Sequence, residues 1–286
     1  MKKKRKTGWA ISLLLLMGVF ACVLISCKKT DTTVGNIDVG NVNAGDIDTG
    51  DISVKNSQDK LEKTVDSEFV FRDITDLSKL VTQDEVGNIK LQPSKDSNLN
   101  VTAKTVITVF NKKDMEHIQN NIDVKKSTDK DSCTLTIVSK DSGNDLWKWL
   151  KKEVGKNNVS VSLTIEVPAN FKDFQLTTEC GSIQIAEVNG SMNLKTETGN
   201  VRIDQCQLKD NCVLQTDTGN IDLSLCKKLD SSASIDVAAH TGNVGIQLNG
   251  NSVDYSQKEN SSIKASLDEK YFVSAKTKTG MIRLKD

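Results

Sequence analysis

Apolar and polar positions alternate strictly through the last third of the chain, and they do so in one phrase that returns five times. The copies run from Phe174 to Ile185, Met192 to Ile203, Cys212 to Leu223, Ile235 to Ile246 and Val273 to Leu284, and they hinge on Gly181, Gly199, Gly219, Gly242 and Gly280. Apolar residues stand seven and five positions before each Gly, and two and four after it. Period-two alternation on both sides of a Gly predicts strand, turn, strand. The Gly-to-Gly spacings are 18, 20, 23 and 38 residues, and the longest divides at Ser261, where Ser262-Ile263-Lys264-Ala265 reads as a worn copy without its Gly. A unit of about 20 residues that cannot bury its own apolar face must stack on copies of itself. The expected fold is an all-β, single-chain β-solenoid, β-helix-like, with coils of that length.

Stacking turns equivalent residues into ladders about 4.8 Å apart. Gly199 and Gly219 are expected to hold φ > 0 at the corner, with Val201, Ile203, Ile221 and Leu223 pointing inward. The Thr, Gly and Asn ladders either serve folding alone or form a hydroxyl and amide face for a periodic polymer such as a glycan. Cys206 and Cys226 each lie seven residues after their Gly, where the preceding copy has Val188. That register predicts Val188, Cys206 and Cys226 stacked in successive coils, the two cysteines as free thiols about 5 Å apart between Cα atoms.

Upstream the phrases loosen. Val86-Gly87-Asn88-Ile89-Lys90-Leu91 repeats the unit, and the segments 101–110, 133–138 and 159–167 are rich in β-branched residues. Asn111 to Asn120 is polar enough for a turn of helix. One short helical insertion is expected from Asp145 to Val154, capped by Asn144 and stopped by Gly155, with Leu146, Trp149, Leu150 and Trp147 on one face. That face either covers an open edge or end of the sheets or meets lipid or a partner. Residues 58–68 are charged and read as short helix or spacer. From Asp31 to Val54 a Gly returns every fifth residue, a period that does not fit the nonapeptide calcium roll.

The N-terminus carries Lys2, Lys3, Lys4, Arg5 and Lys6, then an apolar run of 18 residues from Gly8 to Ile25, then Ser26-Cys27. This is the layout of an export signal. The small residue before Cys27 resembles the lipobox of bacterial lipoproteins, which implies cleavage after Ser26 and a diacylglycerol on the Cys27 thiol. The alternative is an uncleaved anchor helix, since about 20 apolar residues span a bilayer. The expected organisation is a signal peptide or anchor at 1–26, a Gly/Asp/Asn-rich tether at 27–68 and the solenoid at 69–286, its strongest repeats at 159–286. Both routes place the chain on the extracytoplasmic side of a bacterial membrane.

Charge agrees with that placement. Removing the five N-terminal basic residues leaves 33 basic against 38 acidic, the wrong sign for a nucleic-acid partner. Chemistry is sparse. His117 and His240 have no sequence neighbour to make a metal or base pair, and Cys133, Cys180, Cys206, Cys212 and Cys226 form no Cys-x-x-Cys, so neither a metal, a cofactor nor a catalytic set is expected.

The run Val159 to Pro168, followed by Phe174 to Ile185 and the Thr-x-Thr-Gly-Asn copies, resembles the bacterial domain of unknown function labelled a "putative adhesin". The resemblance covers roughly Phe69 to Asp286 and implies a β-solenoid on the cell envelope, with no agreed ligand and no catalytic residues to carry over. The functional expectation is a membrane-tethered, non-catalytic binding or scaffold module for an envelope glycan, lipid or protein. An envelope-stress sensor is the alternative, and a polysaccharide-active β-helix enzyme a further one.

Overall fold

Each Gly-centred phrase folds as strand, corner, strand, and the coils stack in parallel. The computed structural model describes residues 60–155, 158–226, 233–248, 251–257, 261–265 and 271–285; Cys27, the expected export signal and most of the expected tether lie outside them. The elements in chain order are β1 (Leu61–Phe71), β2 (Lys79–Val86), β3 (Ile89–Pro93), β4 (Leu99–Val109), helix α1 (Lys112–Asn120), β5 (Ile122–Asp129) and β6 (Ser132–Ser139). Helix α2 (Leu146–Glu153) follows, then β7 (Asn158–Val167), β8 (Asp173–Cys180), β9 (Ile183–Ala186), β10 (Gly190–Thr198), β11 (Val201–Cys206), β12 (Leu208–Thr218) and β13 (Ile221–Leu225). The last are β14 (Ala233–Leu248), β15 (Asn251–Gln257), β16 (Ser261–Ala265), β17 (Tyr271–Thr279) and β18 (Ile282–Lys285).

Two sheets face each other. Strands that precede a corner Gly lie in sheet 1, together with β5, β6 and β16, in the order β5-β6-β2-β8-β10-β12-β17-β14-β16. Strands that follow it lie in sheet 2, together with β1, β4, β7 and β15, in the order β1-β4-β7-β3-β9-β11-β13-β18-β14-β15. The 16-residue β14 bends at Gly242 and serves both. Pairing is parallel along the stack and antiparallel at both ends, in β5–β6, β1–β4–β7, β14–β15 and β14–β16. Between the sheets, Phe174, Leu176, Ile183, Ile185, Leu194, Val201, Ile203, Leu214 and Ile221 are completely buried and Leu223 nearly so. Burying each such side chain contributes about 1.5–3 kcal/mol, so apolar alternation is what holds the coils shut.

Three expectations need correction. The coils do not stack in sequence order: β17–β18, the last phrase, lies between β12–β13 and β14. The segment at Ser261 is not a worn coil but β16, which runs antiparallel to β14 with Ile235 opposite Ala265. It lacks the Gly-centred corner of the other copies and forms the edge of sheet 1. Residues 61–68, read as tether, are the first part of β1, whose eleven residues pair with β4 from Leu61↔Val109 to Phe71↔Leu99. Its outward positions are polar apart from Val70, and its inward ones from Val65 on are only half-buried, which hid the strand among charges.

The helix at 145–154 is present, but its N-cap is Asp145, whose carboxylate accepts from the Lys148 N–H at 3.0 Å, and not Asn144. Leu146, Trp147, Trp149 and Leu150 are buried, and α2 packs on β6. The tryptophan face is spent on covering the sheet. A second helix, α1, occupies the polar stretch after Asn111, which caps it by accepting from the Asp114 N–H.

Candidate functional site

Three residues before Gly181, Gly199, Gly219 and Gly280, the chain places a buried hydroxyl. Thr178, Thr196, Thr216 and Thr277 each donate to the carbonyl of the corner Gly in the coil below: Gly87 at 3.1 Å, Gly181 at 2.8 Å, Gly199 at 2.9 Å and Gly219 at 3.1 Å. One residue after each Gly, a second ladder runs outside. Asn88, Ser182, Asn200 and Asn220 accept through their side-chain oxygens from the N–H of Ser182, Asn200, Asn220 and Met281, at 2.8–3.1 Å. Both ladders therefore bind coil to coil. The amide face that the sequence offered to a polymer is consumed by folding, and both ladders stop at the same place. Ala239 has no hydroxyl for the next carbonyl, and Met281 has no oxygen for the next N–H. Thr216→Val should cost about 1 kcal/mol, the usual net worth of one hydrogen bond, read as a shift in urea midpoint with unchanged m-value. No shift would mean that the hydroxyl ladder carries no stability.

The hydroxyl ladder begins on a carboxyl. Asp84, in register with Thr178, is 1% exposed, and neither of its oxygens makes a hydrogen bond. Burial pushes its pKa from 3.8 up to about 7, with the Glu85 charge adding to the rise; the N–H groups of Val86 and Glu85 and the Trp147 indole lie near enough to hold it back without closing a hydrogen bond of good geometry. The Trp147 Nε1 is itself buried without an acceptor. This is the one interior carboxyl among the described residues, and its spacing from Gly87 matches the threonines.

The outward faces carry charge in rows. Two residues before each Gly, sheet 1 presents Glu85, Glu179, Glu197, Asp217, Lys278 and His240 in successive coils. Lys151 of α2 pairs with Glu85 at 3.0 Å, and Lys278 pairs with Asp217. Glu179, between them, has its pKa raised by partial burial and by the neighbouring charges of Glu85 and Glu197. Stacked like charges oppose folding. On sheet 2, Arg202, Asp222 and Arg283 occupy one row, ending at Gly245. Arg283 pairs with Asp222 at 3.2 Å and Arg202 with Asp204 at 2.5 Å, beside a shallow depression of about 510 Å³. A second cleft, about 500 Å³, opens between the helices over Trp149, whose ring lies 5.1 Å from that of His117.

The remaining sequence candidates fall as follows. Gly199, Gly219, Gly242 and Gly280 hold φ of 140–153°, and Gly181 is not among the positive-φ glycines. A stronger reason for Gly is clearance: a Cβ at Gly219 would stand 1.9 Å from the Gly199 carbonyl oxygen, and one at Gly181 only 1.8 Å from that of Gly87. His240 lies exposed in the sheet 1 row. Among the described residues no cluster of three His, Cys, Asp or Glu is placed to hold a metal.

The cysteine register needs correction. Cys206 is opposite Leu225 rather than Cys226, with Cys206 buried and Cys226 exposed. Left-handed bulges at Glu187 and Gln205 (φ 59° and 54°) add a residue to two coils that the third does not add, so equal spacing from Gly did not preserve register. Cys206, Cys212 and Cys133 are free and interior; desolvation pushes the thiols of Cys206 and Cys133 up to about 11 and that of Cys212 higher still.

Stacked coils of one Gly-centred phrase, closed by two facing sheets, define a repeat-built β-solenoid. Residues 162–285 match the family described as Toastrack DUF4097, a domain of unknown function. The chain is similar to solved structures of a "putative cell adhesion protein" from Clostridium sporogenes (16% identity, 78% of this chain and 99% of that one, TM-score 0.48) and a "putative adhesin" from Bacteroides fragilis (13%, 78% and 96%, TM-score 0.34). A third, a "putative adhesin" from Parabacteroides distasonis, aligns at 9% identity over 77% and 97% with a TM-score of 0.24. No curated protein matches the chain. Among the described residues no helix is long and apolar enough to cross a membrane.

Proposed function

We propose that the chain is an exported, membrane-tethered and non-catalytic binding module of the bacterial cell envelope, held by a lipid on Cys27. The observation that carries the binding reading is the regular spacing of charged side chains on the outer faces, from Glu85 to Lys278 on sheet 1 and at Arg202, Asp222 and Arg283 on sheet 2, one per coil on parallel strands about 4.8 Å apart. A flat, rigid, periodic surface suits a repeating polymer or a membrane-proximal surface better than a small molecule, which wants a deep apolar pocket. The Ser26-Cys27 junction after the apolar run supports the tether. The partner is an envelope glycan, lipid or protein rather than a nucleic acid, given the acidic balance of the exported part.

Full-length protein in detergent micelles, incubated with isolated envelope fractions, should bind in a salt-sensitive way. Binding should fall several-fold in one of two face variants, Glu179→Gln/Glu197→Gln or Arg202→Gln/Arg283→Gln, and the affected variant identifies the face. Undiminished binding in both would refute the proposal. For the tether, Cys27→Ala should abolish incorporation of a palmitate probe and leave an unprocessed precursor. Wild-type protein that takes up no label would establish the uncleaved anchor instead.

A further inference from the structure

The last phrase of the chain lies out of sequence order, between two earlier coils. β17 pairs with β12 from Cys212↔Val273 to Thr218↔Thr279 on one side, and with β14 from Ala233↔Tyr271 to Thr241↔Thr279 on the other. β18 is likewise held between β13 and β14, and Val273, Ala275, Thr277, Ile282 and Leu284 are all buried. The segment 271–285 is thus an insert in a slot made by two earlier coils.

The two walls of the slot grip it unequally. Toward β12–β13 the insert gives the Thr277 hydroxyl to the Gly219 carbonyl and the Met281 N–H to the Asn220 side chain, along with backbone bonds at Gly219 and Ile221. Toward β14 neither ladder continues, because Ala239 and Met281 interrupt them. Ion pairs at Lys278–Asp217 and Arg283–Asp222 face the first wall and Lys276–Asp236 the second, all on the surface where each contributes little. Toward β14 the insert keeps its backbone pairing, with eight residues of β17 in register and the Gly280 N–H on the Thr241 carbonyl at 2.9 Å, but carries neither side-chain ladder.

The walls are also complementary to each other. β14 carries the same phrase as β12–β13, with Gly242 twenty-three residues after Gly219, enough chain for one ordinary coil. With the insert withdrawn, β14 can close on β12–β13, and the Asn220 oxygen that now accepts from Met281 would accept from Asn243, as in the earlier coils. Closure offsets part of the surface lost, so the stack has two packings of similar kind. We propose that the slot between β12–β13 and β14 is a strand-accepting site, and that the coil 271–285 of a second copy of this chain enters it in exchange for its own. Corner clearance makes the site selective: only a segment with Gly at the corner passes the Gly219 carbonyl, 1.9 Å from where a Cβ at Gly280 would stand.

The test uses two full-length variants in a background with Cys180→Ser and Cys226→Ser, one carrying Gln215→Cys and the other Lys276→Cys. These exposed positions face each other across β12–β17, about one strand spacing apart. After mixing at high concentration and warming, a short thiol-bridging reagent should join the two copies through residues 215 and 276, identified by mass spectrometry. Replacing the Gln215→Cys partner by Lys195→Cys, one coil away, should give at least ten-fold less bridging, and adding Gly280→Val to the Lys276→Cys copy should remove it. No bridge between copies overturns the proposal. So does equal bridging at 195 and 215, or bridging that survives Gly280→Val.

Discussion

Gly219→Val should destabilise the stack by about 3 kcal/mol or more, the combined scale of a β-branched residue at positive φ and of overpacking against fixed backbone. The backbone at Gly219 sits at φ 153°, and the new Cβ would lie 1.9 Å from the Gly199 oxygen and 3.2 Å from the Thr216 hydroxyl that anchors the same carbonyl. No side chain is available to yield, so two coils must separate or the corner must break. Gly155→Ala is the matched control. It too has positive φ, 73°, but nothing lies within 4 Å of the added carbon, so its cost should stay near 1 kcal/mol. Urea midpoints for the two variants read the difference, and equal shifts would mean that stacking clearance is not what selects glycine.

Asp84→Thr should act in the opposite direction, stabilising the protein by about 4 kcal/mol above pH 7 and much less near pH 4. The folded-state pKa of about 7 lies above the ordinary 3.8. Between those values the folded chain holds a proton that the unfolded chain has lost, so wild-type stability declines as pH rises from about 4 to about 7 and is flat beyond. Three pKa units correspond to about 4 kcal/mol. Asp84→Asn removes the same titration without adding a hydroxyl, and should flatten the profile equally. Thr at this position should gain a further increment, since a Cβ at the neighbouring Gly87 would sit 2.0 Å from the Val161 oxygen, which places that carbonyl where the other coils offer their Gly carbonyl. A wild-type stability that does not fall between pH 4 and 7 would show Asp84 to be ionised and satisfied in the folded protein.

The Gly-centred phrase was fully legible because its two halves alternate with period two and its corner tolerates no substitute. Val201, Ile203, Ile221 and Leu223 are buried where the pattern put them, since alternation alone decides which face meets the opposite sheet. The order of stacking was not legible. Copies at Gly219, Gly242 and Gly280 share one phrase, and only the ladder residues that distinguish them, Thr277 against Ala239 and Asn220 against Met281, tell which coil can continue which. The bulges at Glu187 and Gln205 left no Gly or Pro as a mark, so the one-residue slip at Cys206 was invisible. β1 was masked by its charges, being an edge strand that buries only half of one face. Asp84 was available as a signal: it stands three residues before Gly87, where the later copies have Thr or Ala, and an acid in an interior column is the departure that the repeat itself exposes.

The stacking order can be measured within a single molecule. In the background without Cys180 and Cys226, Gln215→Cys/Lys276→Cys and Gln215→Cys/Ala238→Cys place thiols on the same face, one and two strand spacings apart respectively, or about 5 and 10 Å. At high dilution, a bridging reagent of about 5 Å reach should join 215 to 276 and leave 215 and 238 unlinked. Efficient bridging of 215 to 238, with none to 276, would contradict the inserted coil and return the stack to sequence order.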